Sequence, residues 1–185
     1  MTATLNEDLV EAIATIGTTT WSGRTYRHTT ASRDPLSGEG ARRGGGRYNP
    51  TDLFPTVYLG QPVEACMREL EQLANRQHLS VEDFLSIPRV LHTIDLIDLE
   101  VLDLTNPDTQ DTLGLDQADL EGDWPPCQAV GHATWFLEFH GVLAPSAVGA
   151  GVNLALFEHR TPPAHFSLGS SAPLDYATYE TLRGA

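Results

Sequence analysis

Residues 34–55 run Asp-Pro-Leu-Ser-Gly-Glu-Gly-Ala-Arg-Arg-Gly-Gly-Gly-Arg-Tyr-Asn-Pro-Thr-Asp-Leu-Phe-Pro, so rich in Gly, Pro and Asp that they read as one long ordered loop. A loop of this length inside a compact domain is usually either functional or disordered. Its arginines argue for function. Arg24, Arg27, Arg33, Arg42, Arg43 and Arg47 crowd the loop and its approach, opposed there only by Asp34 and Glu39. All 11 basic residues are Arg, against 25 acidic ones, and the net charge is −14. An acidic chain that gathers its cations in one glycine-rich segment offers a local site for an anion. The same net charge repels nucleic acid at long range, so no direct nucleic-acid partner is expected. Between Arg89 and Arg160 the balance inverts. Asp95, Asp98, Glu100, Asp103, Asp108, Asp111, Asp116, Asp119, Glu121 and Asp123 meet no basic residue there. Segment 95–123 is read as a solvated face, with a partner surface as the alternative.

At 185 residues the chain suits one domain, 1–185, with a single core. With 41% hydrophobic and 19% charged residues it is globular in composition. No apolar run approaches the roughly 18 residues of a membrane helix. Met1–Asp8 lacks the basic start and apolar run of a signal peptide, so the expected location is the cytoplasm. Cys66 and Cys127 form no CxxC pair and are read as buried free thiols.

Periodicity supplies the elements. Thr4 and Glu7 suggest a capping box for a helix near Leu9–Ile16, stopped by Gly17. Strands are expected at Thr25–Thr29, Thr56–Leu59, Val90–Leu96, Val101–Leu104, Val142–Ala144 and Val152–Phe157. Pro62 suits the first turn of a helix reaching about Gln77. A helical turn near Thr109–Leu113, a buried helix over Gln128–His140 and a last helix capped by Asp175 complete the pattern. The elements mix without strict alternation, which predicts an α+β fold around a curved, largely antiparallel sheet flanked by helices.

Arg42-Arg43-Gly44-Gly45-Gly46-Arg47-Tyr48-Asn49 is the strongest chemical signal. Glycines let backbone N–H groups converge on an anion, and Arg adds a planar fork matched to phosphate. The segment is neither GxGxxG nor GxxxxGK[ST], and a plain flexible turn is the simpler reading. On the helix after Pro62, Cys66, Leu70 and Leu73 mark the apolar stripe. Glu69 and Glu71 flank its two edges, so helical geometry does not choose between them. Tyr58 is by default a packing aromatic. Gln128 and His132, spaced i, i+4, face one direction, though such a pair usually serves the core. Ser146 follows a strand and Pro145 and reads as a turn residue. The seven histidines show no HExxH spacing and no GxSxG elbow is present, so neither a metal site nor a serine hydrolase is expected.

Taken in order, Tyr26-Arg27, Gly38–Gly40, Gly45-Gly46-Arg47-Tyr48-Asn49, Val57-Tyr58-Leu59, Cys66-Met67-Arg68-Glu69-Leu70 and Gly141–Ser146 resemble the signature of the RES-domain toxins of bacterial toxin–antitoxin pairs. The resemblance covers about residues 20–160. The Arg, Glu and Ser of the family name would be Arg27, Glu69 and Ser146. Tyr48 stands where many members carry Trp. The resemblance implies a fold like that of ADP-ribosyltransferase toxins, with a cleft that takes NAD as substrate and no resident cofactor. Arg27 and Arg47 would hold the pyrophosphate, helped by the glycine loop, with Tyr26, Gly45, Gly46, Tyr48 and Asn49 among the substrate-binding residues. Tyr58 would pack on the nicotinamide side, and Glu69, not Glu71, would act at the ribose. Gln128, His132 and Ser146 would help position the substrate. Arg42 and Arg43 would supply a pocket for inorganic phosphate as co-substrate.

The chemistry implied is cleavage of the nicotinamide–ribose bond. Positive charge builds on the sugar, and a carboxylate stabilises it as it develops. Phosphate as nucleophile gives phosphorolysis, water gives ADP-ribose, and a protein side chain gives ADP-ribosylation. A silent nucleotide-binding module is the non-enzymatic alternative. The family also implies a cognate antitoxin of the Xre type covering the mouth of the cleft.

Overall fold

The computed structural model describes residues 4–122, 124–149 and 151–184. Six strands form one sheet: β1 (Thr19–Thr30), β2 (Thr56–Gln61), β3 (Arg89–Asp103), β4 (Gly141–Pro145), β5 (Val152–Phe157) and β6 (Phe166–Leu174). Their order is β1-β2-β5-β4-β3-β6, and β1 also pairs with β3. Five strands therefore close on one another like a barrel, with β6 added outside β3. The curved, largely antiparallel sheet expected from the sequence is corrected to this closed form. Closure hides edges that would otherwise present unpaired N–H and C=O groups. Every pairing is antiparallel except β3 with β4.

Alternation along the strands builds two cores at once. Val57, Leu59, Leu99, Val101, Leu143, Leu154 and Leu156 point into the barrel. The intervening Leu102, Val142, Ala144, Ala155 and Phe157 point outward, beneath α1 (Glu7–Ile16) and α7 (Pro125–Phe136). A third cluster joins α3 (Val63–Arg76), α4 (Val81–Leu85) and α8 (Tyr176–Leu182) through Met67, Leu70, Phe84 and Tyr179.

Several boundaries differ from expectation for local reasons. The two strands expected over 90–104 are one, because Asp98 takes a positive φ of 51° and the β1–β3 register shifts between Trp21 and Gly23. Asn6, not Thr4, caps α1, its side chain accepting from Leu9 N–H. Pro62 sits at the cap of α3, one position before its first turn. α7 ends at Phe136, just before Glu138 turns to φ 65°, rather than at Gly141, which opens β4. The long loop contains a short α2 (Glu39–Gly44), and the acidic connection contains α5 (Pro107–Thr112) and α6 (Gln117–Glu121). β6 shows no apolar alternation, since Ser167–Pro173 are exposed throughout. No helix among the described residues is long and apolar enough to cross a membrane.

Leu99 is fully buried inside the barrel, whereas Leu168 on β6 is 45% exposed. Leu99→Ala should cost about 2–5 kcal/mol and Leu168→Ala about 0.5 kcal/mol or less. Urea unfolding of the two variants checks this, and equal costs would contradict the closed barrel.

Candidate functional site

A cleft of about 340 Å³ opens between β1, the glycine loop and α3. That volume lies within the usual range of small-ligand sites. Helix α3 presents Glu69, Gln72, Leu73 and Arg76 to it, spaced i, i+3, i+4, i+7 along one face. Strand β1 contributes Tyr26, Arg27 and His28, β2 contributes Tyr58, and β5 contributes Asn153. The loop contributes Gly45, Gly46 and Arg47, and Trp124 completes the rim.

The loop is held by a buried polar network centred on Tyr58. With Val57 and Leu59 pointing into the barrel, alternation turns Tyr58 toward the loop. Its hydroxyl accepts from Tyr48 N–H (2.9 Å) and donates to Asn49 Oδ1 (2.8 Å). Asn49 Nδ2 donates to Ala41 O (2.9 Å), and Gln128 Nε2 reaches from α7 to Gly46 O (2.9 Å). Two glycines make the approach possible. A Cβ on Gly46 would lie 2.5 Å from the Tyr58 hydroxyl, and one on Gly131 would lie 2.0 Å from Tyr48 O.

Both arginines expected to hold an anion line the cleft, and both also bind the protein itself. Arg27 Nη1 donates to Pro35 O and Nη2 to Ser37 O (3.1 Å), which anchors the start of the loop. Arg47 donates to Glu121 O (3.2 Å) and Gly122 O (3.1 Å), the orphan carbonyls at the end of α6. The two candidate acids separate cleanly. Glu69 faces the cleft and accepts from Asn153 Nδ2 (2.8 Å). Glu71 turns to α8, where it accepts from the Tyr179 hydroxyl and lies 3.8 Å from Arg183.

Other expected residues lie elsewhere. Tyr48 is only 3% exposed and packs in the core beneath α7, so its ring offers no stacking face to a ligand. Asn49 is fully buried within the loop network. Gln128 braces the loop from behind, and His132 packs against the stacked pair Phe54 and Trp135, 6.4 Å from each ring. Ser146 lies on a second, smaller pocket of about 240 Å³ with Gln110, Gln117 and Glu121. Arg42 pairs with Glu39 (3.0 Å) and Asp52 (3.8 Å), and neither it nor the exposed Arg43 lines the cleft. Arg42's charge is matched by Glu39 and Asp52, and Arg43 points to solvent, so the structure does not bring these two phosphate candidates into the cleft. Leu73, expected in the apolar stripe, is 36% exposed at the cleft. His28, Gln72, Arg76, Trp124 and Asn153 were not singled out by the sequence. Asn153 had a signal, as a polar residue inside the apolar strand Val-Asn-Leu-Ala-Leu-Phe. Arg76 had one too, seven residues after Glu69 on the same helix.

A family model described as the RES domain matches residues 24–177. The chain belongs to the RES-domain family. It is 48% identical over 184 residues to the protein named NAD(+) phosphorylase MbcT of Mycobacterium bovis and of Mycobacterium tuberculosis, covering 99% of each chain. It is 33% identical over 159 residues to the probable NAD(+) phosphorylase Rv3189 of Mycobacterium tuberculosis, covering 83% of this chain and 73% of that one. The crystal structure of the M. tuberculosis MbcT–MbcA toxin–antitoxin complex is similar at a TM-score of 0.92 and 48% identity, covering 98% of this chain and 100% of that chain.

The electrostatics of this RES domain follow from burial. Desolvation lowers the Arg27 pKa, with Arg33 nearby acting in the same direction. Burial raises the Tyr58 phenol well above its usual value, so the hydroxyl keeps its proton and can go on donating to Asn49. Burial also pushes the Cys66 thiol up to about 12, leaving it protonated on the cleft wall. Burial, then Arg89 and Arg27, pushes the His28 imidazole down to about 3. Arg89 Nη1 donates to His28 Nδ1 (3.2 Å), which requires that nitrogen to be unprotonated.

Two outcomes are expected. Gly131→Ala drives a methyl into Tyr48 O and should lower stability by about 1–3 kcal/mol or more, read as a fall in Tm. His28 takes up its proton near pH 6.5 when unfolded but only near 3 when folded. The unfolded chain therefore binds more protons in that window, and stability drops as pH falls from about 6.5 toward 3, by up to about 1.4 kcal/mol per pH unit. His28→Gln should lose less stability than the parent between pH 7 and 4.5 in urea titrations. Parallel losses in the two proteins would show that His28 is not buried as a neutral base.

Proposed function

We propose that this chain is an NAD-degrading enzyme that splits the nicotinamide–ribose bond by phosphorolysis and serves as the toxin of a toxin–antitoxin pair. One observation carries the reading: Arg27, Arg47 and Glu69 share the walls of a single cleft. The names of the 48%-identical relatives, which cover nearly the whole chain, support it.

In this reading the guanidinium groups of Arg27 and Arg47, with the glycine loop at Gly45 and Gly46, face the pyrophosphate. Tyr26 and Tyr58 face the nicotinamide riboside, and Glu69 lies beside the ribose. As the C1″–N bond lengthens, its electron pair leaves with the pyridine nitrogen and the sugar gains oxocarbenium character. Nicotinamide departs neutral, so no general acid is needed. Fixed by Asn153, the Glu69 carboxylate stabilises a charge that exists only near the transition state, which lowers the barrier rather than tightening ground-state binding. A phosphate oxygen then bonds to C1″, giving ADP-ribose-1″-phosphate. An ADP-ribosyltransferase-like fold and a cytoplasmic location belong to the same proposal. So does an Xre-type antitoxin seated over the cleft mouth, in keeping with the complex in which the similar structure was solved.

Purified antitoxin-free protein should release nicotinamide from NAD, faster with added phosphate. Glu69→Gln should cut the rate about 10²–10³-fold while leaving ADP-ribose binding in place. Intact NAD after long incubation of folded protein with phosphate would sink the proposal. Label moving from NAD to a macromolecule would redirect it to ADP-ribosylation, and ADP-ribose as sole product to hydrolysis.

A further inference from the structure

The cleft holds a third arginine that neither the glycine loop nor the family signature brought forward. Arg76 sits in the last turn of α3, seven residues and so about 10 Å along the axis from Glu69. Among the described residues its guanidinium makes one hydrogen bond, from Nη2 to Gln72 Oε1 (3.0 Å), and no ion pair within 4.0 Å. Gln72 is neutral, so Arg76 keeps its full charge and most of its five N–H donors. Arg27 and Arg47 differ, since each already donates to two or more backbone carbonyls. Among the described residues the one carboxylate on the cleft wall is Glu69, which accepts from Asn153. Arg76 is therefore the cleft cation with the least matched charge, held by Gln72 on the wall that also carries the acid.

We propose that Arg76, steadied by Gln72, binds a phosphate group within the cleft. The proposal deepens the NAD-cleaving reading and rests on it for the identity of the ligand. It takes the place of Arg42 and Arg43, whose positions remove them from the cleft. A planar fork with free N–H groups suits two phosphoryl oxygens at once. The phosphate has two possible sources, the inorganic co-substrate and the dinucleotide's own pyrophosphate.

The test compares the full chain with Arg76→Ala and Arg76→Lys. Arg76 is exposed at the end of a helix, so both variants should keep the parental Tm. If inorganic phosphate is the ligand, Arg76→Ala should raise the KM for phosphate about tenfold to a hundredfold, with kcat at saturating phosphate and the Kd for ADP-ribose little changed. If the pyrophosphate is the ligand, the Kd for ADP-ribose by calorimetry should rise by a similar factor while the KM for phosphate stays. Arg76→Lys, which keeps the charge and loses the fork, should fall between parent and alanine variant. Unchanged phosphate KM and unchanged ADP-ribose affinity in Arg76→Ala would overturn the proposal. Should the parent release no nicotinamide at all, the activity reading fails separately. ADP-ribose calorimetry and phosphorus NMR line broadening of inorganic phosphate would then still decide whether Arg76 binds either one.

Discussion

The Tyr58 hydroxyl is the atom on which the site depends. It lies between Tyr48 N–H and Asn49 Oδ1, and through them fixes a loop that has almost no regular structure of its own. Each bond in the network contributes on the order of 1 kcal/mol net, yet a buried group left without its partner costs about 1–3 kcal/mol. Such a network therefore tolerates one arrangement. Gln128 adds the far brace from α7, and the absent side chains of Gly46 and Gly131 let three pieces of backbone meet. A phenol on a barrel strand thus converts a flexible sequence into a rigid shelf, and Arg47 stands on that shelf.

The cleft also inverts the charge of the molecule around it. In a chain of net charge −14, three arginines and one carboxylate among the described residues line the walls, and His28 stays neutral near pH 7 because burial and two neighbouring guanidiniums disfavour its proton. Outside the cleft the acidic residues have local uses. Asp95 pairs with Arg24 at 2.8 Å, Asp103 caps the turn at Thr105, and Asp116 and Asp119 form the capping box of α6. Asp123 lies outside the described residues. A positive depression in a negative surface focuses the field and draws anions inward while the bulk of the protein repels them.

Much of this was legible in the sequence because it depends on short-range pattern. The barrel strands at 56–59, 142–144 and 152–157 have apolar residues on both faces, and α3 and α8 carry recognisable caps or starts. The density of arginine around the loop pointed to the cleft itself. Three kinds of error share a different origin. β6 has an exposed middle, Ser167–Pro173, rich in Ser, Gly and Ala and paired to β3, so no apolar periodicity marks it. Barrel closure is a long-range pairing of β1 with β3 that local pattern does not contain. Tyr48, Asn49 and Gln128 sit in the right motif and face the wrong way for a ligand, because a loop's sequence does not say which of its side chains are turned inward to hold it.

That last distinction separates two kinds of conservative-looking residue around one cleft. Arg27 and Arg47 each anchor backbone and line the cavity, so removing either would loosen the loop as well as subtract a charge. Glu69 and Asn153 bind each other and line the cavity from helix and strand, elements that stand without them. Loss of the first pair should therefore blend stability with affinity, whereas loss of the second leaves the scaffold to report on chemistry alone. The acid sits on α3 and Arg27 on β1, whereas Arg47 stands on a loop that must be locked. The shelf that binds is built from interactions of the protein with itself, and the group that acts is spared that duty.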